Sequence, residues 1–177
     1  MSFFRAPLSV AFLTVAAASL VSCAAQHERP HSQASSNRLA SIRVSVGPCF
    51  GFCPVYSVSI GSDRQVSFSG ERNTAVLGDR QRRADPKLFA HVAASLEPFR
   101  PAEAASGRVA CDAAISDTST YTITWIAADG RRTVATHQSG CSGGPGKELD
   151  QILRALPGKL GVDDWTRQVT RPGTSRG

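Results

Sequence analysis

Ser41-Ile-Arg-Val-Ser-Val-Gly-Pro-Cys-Phe-Gly-Phe-Cys-Pro-Val-Tyr-Ser-Val-Ser-Ile-Gly-Ser-Asp-Arg-Gln-Val-Ser-Phe-Ser69 is the stretch that decides the fold class. Ile42, Val44 and Val46 alternate with Arg43 and Ser45, the period-2 pattern of a strand buried on one side. Gly47-Pro48 ends that strand. Tyr56, Val58 and Ile60 repeat the pattern, Gly61-Ser62-Asp63 turns the chain, and Gln65 to Ser69 returns as a third strand that Gly70 ends. Three short alternating runs joined by turn residues predict an antiparallel sheet with one face on a core.

Working outward, Asn73 to Ala84 is polar and Arg-rich and is expected as loop. Asp85-Pro86 then supplies an N-cap and a first-turn proline. Leu88, Phe89, Val92, Leu96 and Phe99 follow at helical spacing, and Pro98 closes the helix. Arg100 to Ser119 is expected as a long connection. Thr120 to Ile126, rich in β-branched and aromatic residues, predicts a strand. Asp129-Gly130 predicts a tight hairpin turn, and Arg132 to His137 the return strand. Pro145 to Leu156 predicts a second amphipathic helix with Leu149, Ile152, Leu153 and Leu156 inward, and Trp165 at its far end. The expected architecture is α+β: an antiparallel sheet of about five strands with two helices packed on one face, in a possible ββα pseudo-repeat.

The chain has 177 residues and five cysteines. One of these, Cys23, lies at the end of an N-terminal apolar segment. The other four, Cys49, Cys53, Cys111 and Cys141, form an even set, which in an exported chain argues for disulfides. Three pairings are possible. The layout favours Cys49–Cys53, whose short ring Gly51 allows, and Cys111–Cys141, which the second hairpin would bring together.

Cys49-Phe-Gly-Phe-Cys-Pro-Val-Tyr56 is the most specific string after the N-terminal segment. It resembles the Cys-aromatic-Gly-x-Cys-Pro-x-Tyr signature of a family of small exported bacterial domains of unknown function. The resemblance extends through Gly70, the Tyr121–Trp125 strand, Gly140-Cys141 and Trp165, and so covers about Leu39 to Trp165. It implies a domain and lends no activity. A rival use of Cys49 and Cys53 is periplasmic copper binding, since thiolates suit Cu(I) and His91 or His137 could supply a third ligand. Thiol–disulfide exchange is another, although a redox pair is expected at a helix start, and here a strand follows.

The N-terminus carries an address. Arg5 is followed by an apolar stretch from Pro7 to Leu20, too short for a spanning helix and suited to a signal-peptide core. Leu20-Val21-Ser22-Cys23 resembles a bacterial lipobox, which implies cleavage before Cys23 and a lipid on its thiol. Residues 1–22 are thus expected as a lipoprotein signal peptide and 23–38 as a flexible tether. The single globular domain is expected at 39–166 and a disordered basic tail at 167–177. Ala24, rather than Asp, resembles an outer-membrane sorting signal of Gram-negative lipoproteins. The expected location is the envelope, lipid-anchored in the outer membrane and facing the periplasm.

The formal net charge is +6. The arginines (Arg72, Arg80, Arg82, Arg83, Arg131, Arg132, Arg167, Arg171, Arg176) are scattered and do not interleave with aromatics, so no nucleic-acid partner is expected. Gly140-Cys-Ser-Gly-Gly144 matches the form of a nucleophile elbow, but no histidine follows Ser142, as that order of triad residues requires. Gly146-Lys147 lacks the neighbours of a phosphate loop. Asp112, Asp117, Asp163 and Asp164 show no calcium-loop spacing. The expectation is a non-enzymatic module without a cofactor. It would meet the membrane through Cys23, with an envelope protein or the cell wall as a further partner.

Overall fold

The computed structural model describes residues 38–169. The residues expected as signal peptide, Cys23, nearly all of the expected tether and the end of the expected basic tail lie outside the described residues. The fold is α+β, as the alternating runs predict, but the sheet has seven strands. They are β1 (Leu39–Val46), β2 (Val55–Gly61), β3 (Gln65–Arg72), β4 (Gly78–Arg83), β5 (Ser106–Arg108), β6 (Thr120–Ala127) and β7 (Arg132–Gln138). The helices are α1 (Leu88–Leu96), α2 (Gly144–Leu160) and the short α3 (Asp163–Thr166), with a 3-10 turn at Glu97–Phe99. Sheet order is β4-β3-β2-β1-β6-β7-β5.

Strand β1 sits at the centre. It pairs antiparallel with β2 on one side (Val44 opposite Val58) and with β6 on the other (Val44 opposite Ile123). That register aligns the apolar residues of neighbouring strands on one face. Ile42, Val44, Val58, Ile60, Val66, Phe68, Ile123 and Trp125 there join Val92 and Leu96 of α1 and Leu149, Leu153, Leu156 and Leu160 of α2 in a single core. Arg43, Ser57, Ser59, Ser67 and Ser69 alternate with these residues, and the Arg43 guanidinium donates to the Ser57 hydroxyl at 2.9 Å.

Several expectations need correction. Residues 73–84 are not all loop: β4 pairs with β3 from Gly70 opposite Gly78 to Gln65 opposite Arg83. All six of its residues are exposed, so an edge strand held by backbone bonds shows no apolar alternation. The long connection contains β5, which pairs parallel with β7. That contact spans a wide sequence gap and gives no local pattern. A parallel strand in the second half and four antiparallel strands in the first also leave no ββα repeat, and α3 makes the helices three. Finally, α2 does not stop at Leu156. It runs through Pro157 to Leu160, which is buried. A Schellman arrangement closes it: Val162 N–H donates to Pro157 O (2.9 Å), Gly161 N–H to Gly158 O (3.0 Å), and Gly161 takes the left-handed conformation at φ 64°.

The start of α1 differs as well: its N-cap is Lys87, with no side-chain cap bond, and Asp85, expected as the cap, accepts the Lys87 amide at 2.9 Å in the turn before the helix. The expected hairpin turn matches, with Asp129 accepting the Arg131 amide at 3.0 Å between β6 and β7. The chain stays bonded to the domain past Thr166. Arg167 O accepts from Ala75 N–H (2.9 Å), Val169 N–H donates to Asn73 O (3.0 Å), and Trp165 packs on Phe68. Among the described residues no helix is long and apolar enough to cross a membrane.

Candidate functional site at the disulfide end of the sheet

Strand polarity brings four connections to one end of the sheet: residues 47–54, 73–77, 109–119 and 139–143. Both disulfides lie there. Cys49 is bonded to Cys53 and Cys111 to Cys141, with Cα separations of 5.7 and 5.8 Å, within the range a disulfide spans. These are the pairs that the layout favours.

The connections are tied to each other. Phe50 N–H donates to Asp117 O (3.1 Å), Gly47 N–H to Thr120 O (2.9 Å), and the Asn73 side chain to Cys53 O (3.1 Å). Thr118 Oγ1 donates to Ser139 O (2.7 Å), Ile115 N–H to Gly140 O (3.3 Å), and Ser142 N–H to Ala113 O (2.9 Å). Backbone groups in these loops thus find partners without regular secondary structure.

Beneath them lies a buried hydrogen-bonded cluster. Asp150, on α2, places Oδ1 2.7 Å from His137 Nε2 at the end of β7. Its Oδ2 accepts the amides of Gly140 and Cys141, both at 2.8 Å. One carboxylate therefore clamps the end of β7, the turn that follows it and the helix. Both side chains are buried. Because the carboxylate accepts, Nε2 carries the hydrogen of this bond. His137 Nδ1 is buried and has no hydrogen-bond partner among the described residues. Gly146 makes the packing possible. A Cβ there would sit 2.8 Å from Cys141 Sγ and 2.9 Å from His137 Cε1.

Two tyrosines border this region. Burial holds the Tyr56 phenol well above its ordinary range, and neighbouring Tyr121 adds to the effect. Tyr121 is raised by burial first and then by the Asp150 carboxylate, with Arg154 opposing.

The outer surface of the same end carries exposed large apolar side chains. Phe50, Phe52 and Ile115 are 91%, 62% and 64% exposed, and Leu77 is 47% exposed. Each belongs to one of these connections. A cavity of about 280 Å³ lies to one side, lined by Phe99, Pro101, Arg108, Val109, Ala135 and Pro145.

The remaining candidates are dispersed. Ser142 is exposed and its hydroxyl donates to Ala113 O; His137, already bonded through Nε2 to Asp150, does not serve it. His91 is exposed on α1. Asp163 and Asp164 are exposed in the first turn of α3. Asp112 lies against Gly143 and Gly144, and Asp117 takes φ 63°. Among the described residues no group of three or more His, Cys, Asp or Glu side chains is placed to hold a metal ion.

A family model for a domain of unknown function, DUF6438, matches residues 40–158. The chain belongs to the DUF6438 family. The matched span of this DUF6438 domain contains both disulfides, His137 and Asp150, and ends before Trp165. No curated protein matches the chain, and no solved structure does.

Two features of the site carry weak sequence signals. Asp150 lies in the inward stripe of α2, between Leu149 and Leu153. A carboxylate at such a position needs a buried partner, and that requirement was the available signal. The clustering of the exposed apolar residues has no sequence signal, because they lie on three separate connections.

Proposed function

We propose that this DUF6438 protein is a non-catalytic binding or structural module, held at the bacterial envelope by lipid on Cys23. It faces the periplasm from the outer membrane and uses no cofactor. Cys49-Phe-Gly-Phe-Cys-Pro-Val-Tyr56 is its family signature, and the signature's two cysteines brace a loop. The observation that carries this reading is how the reactive groups are used. All four cysteines after Cys23 are in disulfides, and the one Asp–His pair spends its carboxylate on two backbone amides of a turn. The polar apparatus braces loops, and those loops display apolar side chains. An envelope protein or the cell wall is the partner such a module would meet at the periplasmic face. The arginines are scattered, which favours a solvated surface over a nucleic-acid site.

The address is tested by radiolabelled palmitate in the living host. Label enters the wild-type protein and is lost with Cys23→Ser; labelling of that variant overturns the anchor. Use of Cys49 and Cys53 is tested by counting free thiols on protein taken from an oxidising compartment. None is expected, and two reactive thiols at these positions with bound copper would replace this reading by a metal-handling one.

A further inference from the structure

The geometry points to a second membrane contact: the apolar tip formed by Phe50, Phe52, Ile115 and Leu77 enters the headgroup region of a lipid bilayer. The inference rests on the proposed anchor for the bilayer's proximity, while the tip itself rests on the fold. Among the described residues, the four exposed large apolar side chains all lie at one end of the sheet. They sit on connections fastened to each other by the Phe50–Asp117 and Asn73–Cys53 bonds and braced by two disulfides.

The tip is convex. Phe50 is 91% exposed, so it stands clear of its own domain. A protein partner would need a preformed pocket to receive it, whereas a bilayer interface yields to any apolar protrusion. Aromatic side chains suit that depth, and amphipathic elements bury their apolar side about 5–10 Å into the headgroup boundary. The backbone of the protrusion is partly self-satisfied, with Gly51 N–H on Cys49 O at 3.0 Å, which lowers the penalty of leaving water. Charges around it are of both signs, Arg72 and Arg108 with Asp112 and Asp117, so apolar burial supplies the attraction.

Chain length permits the contact. The anchor-side segment joins β1 at Leu39, at the end of the sheet opposite the tip. Ala24 to Asn37 supplies fourteen residues, reaching at most about 50 Å. The eight residues of β1 cover about 27 Å. The tether can therefore run back along the domain while the tip rests on the membrane that holds Cys23. The domain would then lie with a fixed end down instead of swinging on its tether.

The full lipidated chain, reconstituted in vesicles of phosphatidylethanolamine and phosphatidylglycerol, provides the test. Phe52→Trp or Phe50→Trp places a reporter at the tip at exposed positions, and Ser62→Trp places one at the opposite turn. The tip reporter is expected to be quenched by brominated lipid and shielded several-fold from acrylamide, while the Ser62→Trp reporter stays accessible. A tip tryptophan as accessible in vesicles as in water overturns the proposal. So does shielding that depends on protein concentration and not on lipid, which would mean contact between copies. The mass of the N-terminal peptide reports lipidation separately. If Cys23 carries no lipid, the anchor reading fails alone. The chain added to vesicles from solution still reports on the tip, and Phe50→Ser combined with Phe52→Ser should then lower partitioning by about tenfold or more.

Discussion

Asp150 shows how much one side chain can hold. Its two oxygens take three hydrogen bonds, from His137, Gly140 and Cys141. Asp150→Ala would leave two amides and a buried imidazole without partners. We expect a loss of about 3–5 kcal/mol, read as a lower urea midpoint at unchanged slope. Asp150→Asn keeps one acceptor oxygen and should lose less; equal losses would count against the clamp. The tyrosines give a second prediction at this scale. The chain contains two, Tyr56 and Tyr121, and both are raised in the folded state, chiefly by burial. In the unfolded chain a phenol ionises near its ordinary value, about 10. Above that pH the unfolded state loses protons that the native state keeps, so stability falls as pH rises. The protection is complete below about pH 10 and is lost progressively above it. Denaturant midpoints should decline there, and Tyr56→Phe with Tyr121→Phe should flatten the decline. A slope unchanged by those replacements would remove the assignment. Asp150 was legible only as an anomaly, a carboxylate on an apolar stripe. Its partners at 137, 140 and 141 approach because β7 leads into α2, and local spacing does not encode that approach.

At the scale of elements, apolar patterning was legible wherever a strand or helix meets the core. Strands β1, β2, β3 and β6 and helices α1 and α2 all alternate or repeat with the expected period, whereas β7 buries Thr133, Ala135 and His137 and was legible only as the return of a hairpin. Strand β4 does not, because an edge strand with every residue exposed needs only a partner backbone, and its arginines help to deter edge-to-edge association. Strand β5 does not either, because three residues in a parallel pairing give no period. Helix α2 passes Pro157 because burial of Leu160 and the Gly161 closure outweigh one missing hydrogen bond. The disulfides belong to this scale. In the chain-entropy model the Cys111–Cys141 loop, with a separation of 30 residues, stabilises by roughly 3–4 kcal/mol and the Cys49–Cys53 ring, with a separation of 4, by about 2. Paired Cys→Ser replacements should reproduce that order in urea unfolding, and a larger loss from the smaller ring would contradict it. The longer bridge also joins the connection after β5 to the turn before α2, so its removal should raise amide exchange at Ile115 and Ser142.

For the whole molecule, the deciding fact is that strand direction gathers both disulfides, the buried clamp and the exposed apolar residues at one end. Phe50→Ser with Phe52→Ser should leave stability within about 0.5 kcal/mol of wild type, since neither ring packs in the core. A much larger loss in thermal unfolding would mean that the tip is part of the fold and not a surface offered to another body. By itself the sequence determined the α+β class, the apolar face of the sheet, the two main helices and a plausible disulfide pairing. Each of those is encoded by periodicity or by turn chemistry within a few residues. Tertiary structure decided the rest: the edge strand without a pattern, the parallel pairing of β5, the partners of Asp150, and the placing of Phe50, Phe52, Leu77 and Ile115 at one end of the sheet. Those depend on which backbones lie side by side, and that is set by burying one core against one sheet, far beyond the reach of any local repeat.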